Sequence, residues 1–183
     1  MILWMYPACL LLGYALGNIQ TAILLSNGLF KDDVRLHGSG NAGTNNMLRV
    51  FGKRAGAFTF VGDCLKGVVA VLLGRLIGGE IGGYICGLGA VIGHDWPALY
   101  EFRGGKGVAT TMGVAWVCFP AIAALTTIIG FGIIWLTQTV SIGSLLGVTF
   151  FTFGVLLRHS DKTAAILLFF ILWILCIWRH KDN

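Results

Sequence analysis

Residues 31–56 read KDDVRLHGSGNAGTNNMLRVFGKRAG, a polar run with an apolar segment on each side of it. The chain around this run is 56% hydrophobic and only 11% charged, with a mean hydropathy of +0.82. A soluble domain carries about 25% charged residues, so 183 residues of this composition could not cover themselves with polar surface. We therefore predict a single integral membrane domain over residues 1–183, built from α-helices alone.

The centre of the run, residues 37–49 (HGSGNAGTNNMLR), has the composition of a phosphate-binding loop. Glycine lets backbone N–H groups turn toward a bound anion without a Cβ in the way. Hydroxyl and amide side chains add hydrogen bonds, and Arg49 offers a planar guanidinium to a phosphate. A flexible Gly/Asn connector has a similar composition, so this segment alone does not distinguish the two.

A second stretch of the same character, residues 93–111 (GHDWPALYEFRGGKGVATT), favours phosphate binding. Within it Arg103, Gly104, Gly105, Lys106 and Gly107 combine glycines with cations, and the residues that follow are typical of a helix. A helix N-terminus presents free N–H groups and a partial positive charge to an anion. The GxxxxGK[ST] pattern is absent and no strand precedes the glycines, so this is not a Walker A loop.

Apolar segments predict membrane spans at about residues 3–26, 57–76, 81–92, 142–157 and 163–178. The segment 81–92 is too short alone to cross ~30 Å of hydrocarbon. Residues 108–136 form one long helix or two short helices that meet at Pro120. Asp63 and Lys66 lie three apart in the second span, so they share a helix face and can pair. The pair either holds the bundle together or shapes the site.

The cations favour one orientation. With two spans in residues 108–136, nine of the 13 Lys and Arg fall on one side, three on the other, and Lys66 lies within a span. One long span would barely change this positive-inside bias. Two spans, however, place three basic polar segments (residues 31–56, 93–111 and 179–183) and the turn at residues 137–141 on one face. We therefore predict a seven-helix bundle with its N-terminus outside and its C-terminus in the cytoplasm.

Several classes of site are disfavoured. The five cysteines are scattered singly in apolar segments without a CxxC pair, which predicts no zinc site and no disulfide framework. The net charge of +5 lies in short loops beside apolar spans, which favours anionic substrates over nucleic acid. Residues 1–19 lack a basic n-region, so they are expected to be a retained helix and not a cleaved signal peptide.

The segments SGNAGTNNMLR, DCLKG (residues 63–67), GHDWPALYEFRGGKGVAT and the terminal RHKDN together resemble the bacterial acyl-phosphate:glycerol-3-phosphate acyltransferases, the PlsY family. The resemblance covers the whole chain in order and spacing. It implies a multi-pass enzyme of the bacterial inner membrane with its active site facing the cytoplasm. It also implies transfer of an acyl chain from acyl phosphate to glycerol 3-phosphate, which gives lysophosphatidic acid and phosphate for phospholipid synthesis.

The resemblance further implies which residues act. The catalytic positions are Ser39, Arg49, Lys106 and His180. The substrate-binding positions are Gly40, Asn41, Gly43, Asn45, Asn46, Gly104, Gly105, Gly107, Ser141 and Asn183. No cofactor and no metal is expected. The expected partners are the two substrates and membrane lipid, with a monomer as the working expectation.

Two departures from the family pattern bear on activity. Residues 43–46 read Gly-Thr-Asn-Asn where the family has Gly-Ala-Thr-Asn, so Asn45 replaces a hydroxyl residue near the site. An amide can still donate to phosphate, so rate or specificity is affected more than binding. The family's third motif continues beyond the position of Asn183, so the sequence is either cut short or that of a shortened relative. An inactive or divergent paralogue therefore stays open.

The chemistry points to catalysis by positioning and electrostatics. Both substrates carry phosphate, and Arg49, Lys106 and His180 can offset the repulsion between them. The sequence shows neither a Ser-His-Asp order nor a carboxylate pair for general-base work. The substrate's own phosphate as proton acceptor is a hypothesis, and His94 is expected to be a structural residue at a helix end. The rival class, a small anion or lipid transporter, is disfavoured because the chain has no matched internal repeat.

Overall fold

The structure, a computed structural model, describes residues 4–181, and every regular element in that range is helical. The α-helices are α1 (Met5–Gly17), α2 (Thr21–Leu25), α3 (Thr44–Asp95), α4 (Val108–Cys118), α5 (Pro120–Thr137), α6 (Val140–Arg158) and α7 (Thr163–Arg179). A π-helix, Ser26–Phe30, follows α2, and short 3-10 helices lie at Val34–Leu36 and Ala98–Tyr100. The all-helical fold class is confirmed over the described residues.

Four helical stretches are long and apolar enough to cross a membrane. They are Met5–Phe30, Thr44–Tyr100, Pro120–Thr137 and Val140–Arg158. The helices α4 and α7 are apolar but shorter, with 11 and 17 residues. A helix of 11 residues is ~17 Å long, about half the hydrocarbon thickness. The number of helices therefore does not by itself give the number of membrane crossings.

The long helix α3 folds back on itself at Gly78 and Gly79. Gly79 has φ +64°, a backbone conformation that glycine adopts far more readily than other residues. Beyond this turn Gly82 packs directly against Gly74, because a Cβ at either position would overlap the carbonyl oxygen of the other. The result is a pair of antiparallel arms, residues 53–77 and 80–95. The second arm is longer than the predicted span because it continues to Asp95.

The first span is interrupted, whereas the sequence predicted one continuous helix. Helix α1 ends at Gly17, and Gln20 has extended backbone angles of −89° and 91°. Lys66 of α3 donates to the carbonyls of Gly17 (3.3 Å) and Ile19 (2.9 Å). A buried ammonium thus satisfies carbonyls that lose their helical partners at the break.

Residues 108–136 form two helices, as one of the two interpretations predicted. Phe119 leaves the helical conformation (φ −142°, ψ 73°), and Pro120 is the first residue of α5. Proline suits this first position because its missing N–H has no helical acceptor there. The chain therefore reverses direction between α4 and α5.

The two ends of the bundle differ in character. At one end Arg179 of α7 reaches the loop between α3 and α4, donating to the Gly105 carbonyl at 2.6 Å. At the other end Lys162 pairs with Glu80 at 2.8 Å, which ties the turn before α7 to the tip of the α3 hairpin. An aromatic core lies between the helices at this second end, where the rings of Phe151 and Phe169 pack edge to face at 4.7 Å.

Candidate active site

A cavity of about 940 Å³ opens at the end of the bundle where the polar segments meet. Ten of the residues predicted to act line it: Ser39, Asn41, Gly43, Asn45, Asn46, Arg49, Lys106, Gly107, Ser141 and His180. They come from two separate loops and from the ends of α3, α6 and α7. Gly40, Gly104 and Gly105 are not part of its lining. The predicted site residue Asn183 lies outside the described residues.

The polar loop before α3 (residues 31–43, the first polar loop) is held by Asn46. This amide is 1% exposed, and its nitrogen donates to the carbonyls of Val34 and His37, each at 3.0 Å. Its oxygen accepts the backbone N–H of Ser39, also at 3.0 Å. All of these contacts are with backbone, so Asn46 positions Ser39 at the cavity instead of offering its amide to a ligand.

Arg35 joins the first polar loop to the loop that follows α3. Its guanidinium forms a forked pair with the Asp33 carboxylate, with contacts of 2.7 and 3.0 Å. It also donates to the Tyr100 carbonyl at 3.0 Å and lies over the Tyr100 ring. Hydrogen bonding to Arg35 holds the pKa of the Asp33 carboxyl below its usual range.

The glycine–lysine loop (residues 104–107) lies directly on His94, the penultimate residue of α3. The N–H of Gly105 donates to the His94 carbonyl at 3.0 Å. A Cβ at Gly104 would overlap that carbonyl oxygen, and a Cβ at Gly105 would overlap the His94 imidazole. These two glycines are therefore required by packing, and the Gly105 N–H is not available to a phosphate.

Arg179 holds the same loop from the other side. Its guanidinium donates twice to the Gly105 carbonyl, at 2.6 and 3.0 Å, and packs on the Trp96 ring. Sequence reasoning missed this residue, because nothing in the sequence pairs the end of α7 with a loop some 74 positions earlier. Both backbone polar groups of Gly105 thus have fixed protein partners.

The loop ends where α4 begins. Gly107 is the N-cap of α4 with φ +71°, and Lys106 precedes it. Gly107, Val108 and Ala109 all line the cavity, so the first turn of α4 directs its unpaired N–H groups toward the space beside Lys106. The helix N-terminus predicted from the sequence is therefore present beside Lys106, and it begins at Gly107 and not at the two preceding glycines.

A buried ionic cluster contributes to the wall of the cavity. Lys66 lies 2.9 Å from Asp63 Oδ1 and 2.7 Å from His94 Nδ1, and Thr21 donates to Asp63 at 3.0 Å. Asp63 and His94 both line the cavity. The sequence predicted the Asp63–Lys66 pair and gave His94 a structural role; in the structure Asp63 and His94 line the cavity, and Lys66 contacts both of them.

Asp95 follows His94 and is fully buried. Neither carboxylate oxygen has a hydrogen-bond partner among residues 4–181. A Cβ at Gly107 would lie 3.0 Å from one of these oxygens, so the carboxylate is adjacent to the start of α4. Residues 4–181 contain no cluster of three or more His, Cys, Asp or Glu side chains that could hold a metal ion.

His180 enters the cavity just beyond α7. Its Nδ1 lies 2.7 Å from the Cys176 carbonyl, which can only accept, so Nδ1 carries the proton. Burial lowers the pKa of His180, which favours the neutral ring. Its Nε2 is then a hydrogen-bond acceptor, whereas the sequence offered His180 as a further cation.

The deeper part of the cavity is apolar. Phe60 of α3 and Phe131 of α5 meet edge to face there, with ring centroids 6.1 Å apart. Met112, Ile134 and Val148 continue this surface between α4, α5 and α6. The cavity therefore combines a cationic entrance with an interior suited to hydrocarbon.

Comparison with known proteins yields one family. Residues 7–183 match the family described as glycerol-3-phosphate acyltransferase. The protein of that name from Thermoanaerobacter pseudethanolicus is 41% identical over 174 residues, which covers 94% of this chain and 87% of the relative. The one from Clostridioides difficile is 37% identical, covering 100% of this chain and 92% of the relative.

Two solved structures share the fold. One is a crystal structure of PlsY (YgiH), an integral membrane glycerol 3-phosphate acyltransferase, in its glycerol 3-phosphate form. It has a TM-score of 0.91 and 29% identity, and covers 97% of this chain and 89% of its own. The lysophosphatidic acid form of PlsY has a TM-score of 0.88 and 28% identity, with the same coverage.

Proposed function

The chain belongs to the glycerol-3-phosphate acyltransferase family, and from this premise we propose that it acylates the 1-hydroxyl of glycerol 3-phosphate with acyl phosphate as donor. It is an acyltransferase of a bacterial membrane, and lysophosphatidic acid and inorganic phosphate are its products. The observation that carries the proposal is the convergence of Arg49, Lys106 and the N-terminus of α4 on one cavity with an apolar interior.

The cationic entrance suits two phosphates. Arg49 supplies a planar fork, which binds phosphate through two hydrogen bonds. Lys106 and the first N–H groups of α4 form a second anion site beside it. Preorganised donors of this kind stabilise the charge that develops on a leaving phosphate. Ser39 and Ser141 add hydroxyl groups at the same entrance.

The reaction needs no protein nucleophile. The glycerol 3-phosphate hydroxyl oxygen attacks the acyl carbonyl carbon, a C–O bond forms, and the C–O bond to phosphate breaks. The hydroxyl proton passes to a phosphate oxygen of the substrate, so that charge and atoms balance. His180 Nε2, as an acceptor, orients the attacking hydroxyl. Catalysis is then positioning together with electrostatic stabilisation.

The apolar interior fits the acyl chain. A hydrocarbon tail placed against Phe60, Phe131 and Ile134 would leave the reactive carbonyl at the cationic entrance. The tail leaves lipid that is equally apolar, so its packing against these side chains holds the reacting end in place without a hydrophobic gain. Every residue of this site belongs to one chain, so a monomer suffices.

We further propose seven membrane crossings with the cavity facing the cytoplasm. The two arms of α3 and the reversal between α4 and α5 bring the basic polar loops and the end of α7 to the cavity end. Arg75, Arg158 and Lys162 belong to the other end, where Lys162 pairs with Glu80. This distribution agrees with the positive-inside rule for an inner membrane protein.

The orientation can be tested by labelling. Lys53 at the cavity end and Asp161 at the opposite end are both exposed, so each can be replaced by cysteine on a cysteine-free background. An impermeant maleimide added to intact cells should label Asp161→Cys and leave Lys53→Cys unlabelled until the membrane is opened. The reverse pattern would invert the topology, and labelling of both from one side would remove the seven-span arrangement.

The activity itself is tested by phosphate release. Purified protein in lipid vesicles should release phosphate from palmitoyl phosphate only when glycerol 3-phosphate is present, with stoichiometric lysophosphatidic acid. Phosphate release that does not depend on glycerol 3-phosphate would indicate a hydrolase. No release at all would identify an inactive paralogue, which the departure at Asn45 leaves open.

A further inference from the structure

The first two glycines of the glycine–lysine loop pack closely on one buried residue, His94. Only 3% of His94 is exposed, and both its carbonyl and its ring contact the loop. The carbonyl accepts the Gly105 N–H at 3.0 Å, and the imidazole Nε2 is the atom nearest to a Cβ built on Gly105. The height of the loop above α3 is therefore set by the position of this ring.

The ring is held in one tautomer by its neighbours. Lys66 Nζ lies 2.7 Å from His94 Nδ1 and 2.9 Å from the Asp63 carboxylate. An ammonium group has three donors and no acceptor, so Nδ1 must accept this hydrogen bond. The ring proton is then on Nε2, directly below Gly105. Asp63 fixes Lys66, Lys66 fixes His94, and His94 supports the loop.

We propose that His94 is a positioning residue for acyl transfer: locked by Lys66 with its proton on Nε2, it sets the glycine–lysine loop at the height that places Lys106 in the cavity. The inference rests on the proposed function, because it assigns the loop a role in that reaction. Arg179 fixes the Gly105 carbonyl from the opposite side, so a change in the ring beneath the loop cannot be absorbed by lifting the loop freely.

The alternative is that His94 serves only to accept a hydrogen bond from a buried lysine. Two substitutions separate these roles. His94→Asn keeps an oxygen near the Nδ1 position and so satisfies Lys66, but leaves the space below Gly105 empty. His94→Gln extends an amide N–H to the Nε2 position and supports the loop, but does not keep the acceptor where Lys66 points.

The experiment measures thermal unfolding and steady-state kinetics of both variants in vesicles, with palmitoyl phosphate and glycerol 3-phosphate. We expect H94N to be the more stable variant and H94Q to be the more active one. The kcat of H94N should fall roughly ten- to a hundredfold, since a small misplacement of a catalytic group has effects of that order. The KM for glycerol 3-phosphate should change by less. If H94N is the better variant in both measurements, His94 is only the partner of Lys66 and the proposal fails.

A double-mutant cycle tests the route through Lys106 and remains available if H94Q does not fold. If His94 acts by placing Lys106, then H94N should reduce the activity of Lys106→Arg by much less than it reduces that of the wild type. In the control, H94N combined with Lys53→Ala should show the full loss. If H94N lowers the activity of K106R by the same factor as it lowers that of the wild type, the proposal is overturned. Inactivity of the wild-type protein itself would instead count against the proposed function.

Discussion

The two glycine-rich loops of the site have similar composition but are held in different ways. The first polar loop is positioned by side chains, since Asn46 and Arg35 bind its backbone, and Gly40 has no atom closer than 3.4 Å to a Cβ built on it. The glycine–lysine loop instead lies closely on His94, because a Cβ at Gly104 would overlap the His94 carbonyl and a Cβ at Gly105 would overlap its ring. Composition therefore indicates phosphate chemistry in both loops but does not show which glycines are closely packed, since Gly38 lies against the Asn46 side chain whereas Gly40 has room for a Cβ.

The largest expected effect compares a lysine of the glycine–lysine loop with one outside it. Lys106→Ala should lower kcat by on the order of 10²–10³, because it removes a preorganised donor to the leaving phosphate. Lys53→Ala removes the same formal charge from an exposed position and should change the rate less than about twofold. Phosphate release by equal amounts of the two reconstituted variants measures this. Equal rates would remove the second loop from the active site.

The next effect compares two glycines. Gly105→Ala should lower activity at least roughly tenfold, because the new methyl group would overlap His94 and displace the loop that carries Lys106. Gly40→Ala has space for its methyl group, and the strain at φ +70° costs about 1 kcal/mol. Its activity should stay within a few fold of wild type. The kcat of each variant, compared with its unfolding temperature, distinguishes displacement of the site from loss of fold.

A smaller effect separates two adjacent asparagines. Asn46→Ala leaves two carbonyls and one N–H of the first polar loop without their partner, at about 1–3 kcal/mol for each buried group. It should lower both stability and activity. Asn45→Ala alters an exposed residue at the cavity and should leave the unfolding temperature unchanged while raising the KM for glycerol 3-phosphate. An equal loss of stability in both would contradict the anchoring role of Asn46.

The smallest effect concerns pH. Hydrogen bonding to Arg35 lowers the pKa of Asp33 in the folded protein. The stabilisation is therefore fully present above the unfolded pKa of about 3.9 and is lost as the pH falls through the folded pKa. Arg35→Gln should be slightly less stable than wild type at pH 7, by within about 1 kcal/mol for a partly exposed pair. The unfolding curves of wild type and R35Q should differ at pH 7 and lie closer together at pH 3. If the difference between the two proteins is as large at pH 3, the effect belongs to the Tyr100 contact instead.

Much of the fold could be predicted because its signals are local. Apolar length indicates the helices, and Pro120 marks the reversal between α4 and α5. The interruption of α1 could not be predicted in this way. The carbonyls at the break are satisfied by the ammonium of Lys66, which lies some 47 positions away and binds the Ile19 carbonyl. A local pattern carries no information about such a partner.

The candidate site likewise has features that the sequence indicates and features that depend on distant partners. The family resemblance brought Arg49, Lys106 and His180 to attention together, and the structure places all of them on one cavity. The resemblance did not distinguish a residue that faces the cavity from one that supports it. Asn46 and Gly105 have hydrogen bonds to the protein that only the coordinates show. The tautomer of His180 likewise depends on the Cys176 carbonyl one turn earlier.

The break in α1 also has a consequence for biogenesis. Lys66 has partners on α1 (Gly17 and Ile19), on its own arm (Asp63) and on the second arm of α3 (His94). Before these segments meet, the ammonium faces lipid, at about 2.5–3.5 kcal/mol on insertion scales. The first half of the polypeptide must therefore assemble as one unit during membrane insertion. A nascent chain in which α1 is misplaced would keep the Lys66–Asp63 pair but would leave Lys66 without the Gly17 and Ile19 carbonyls that it binds in the folded protein.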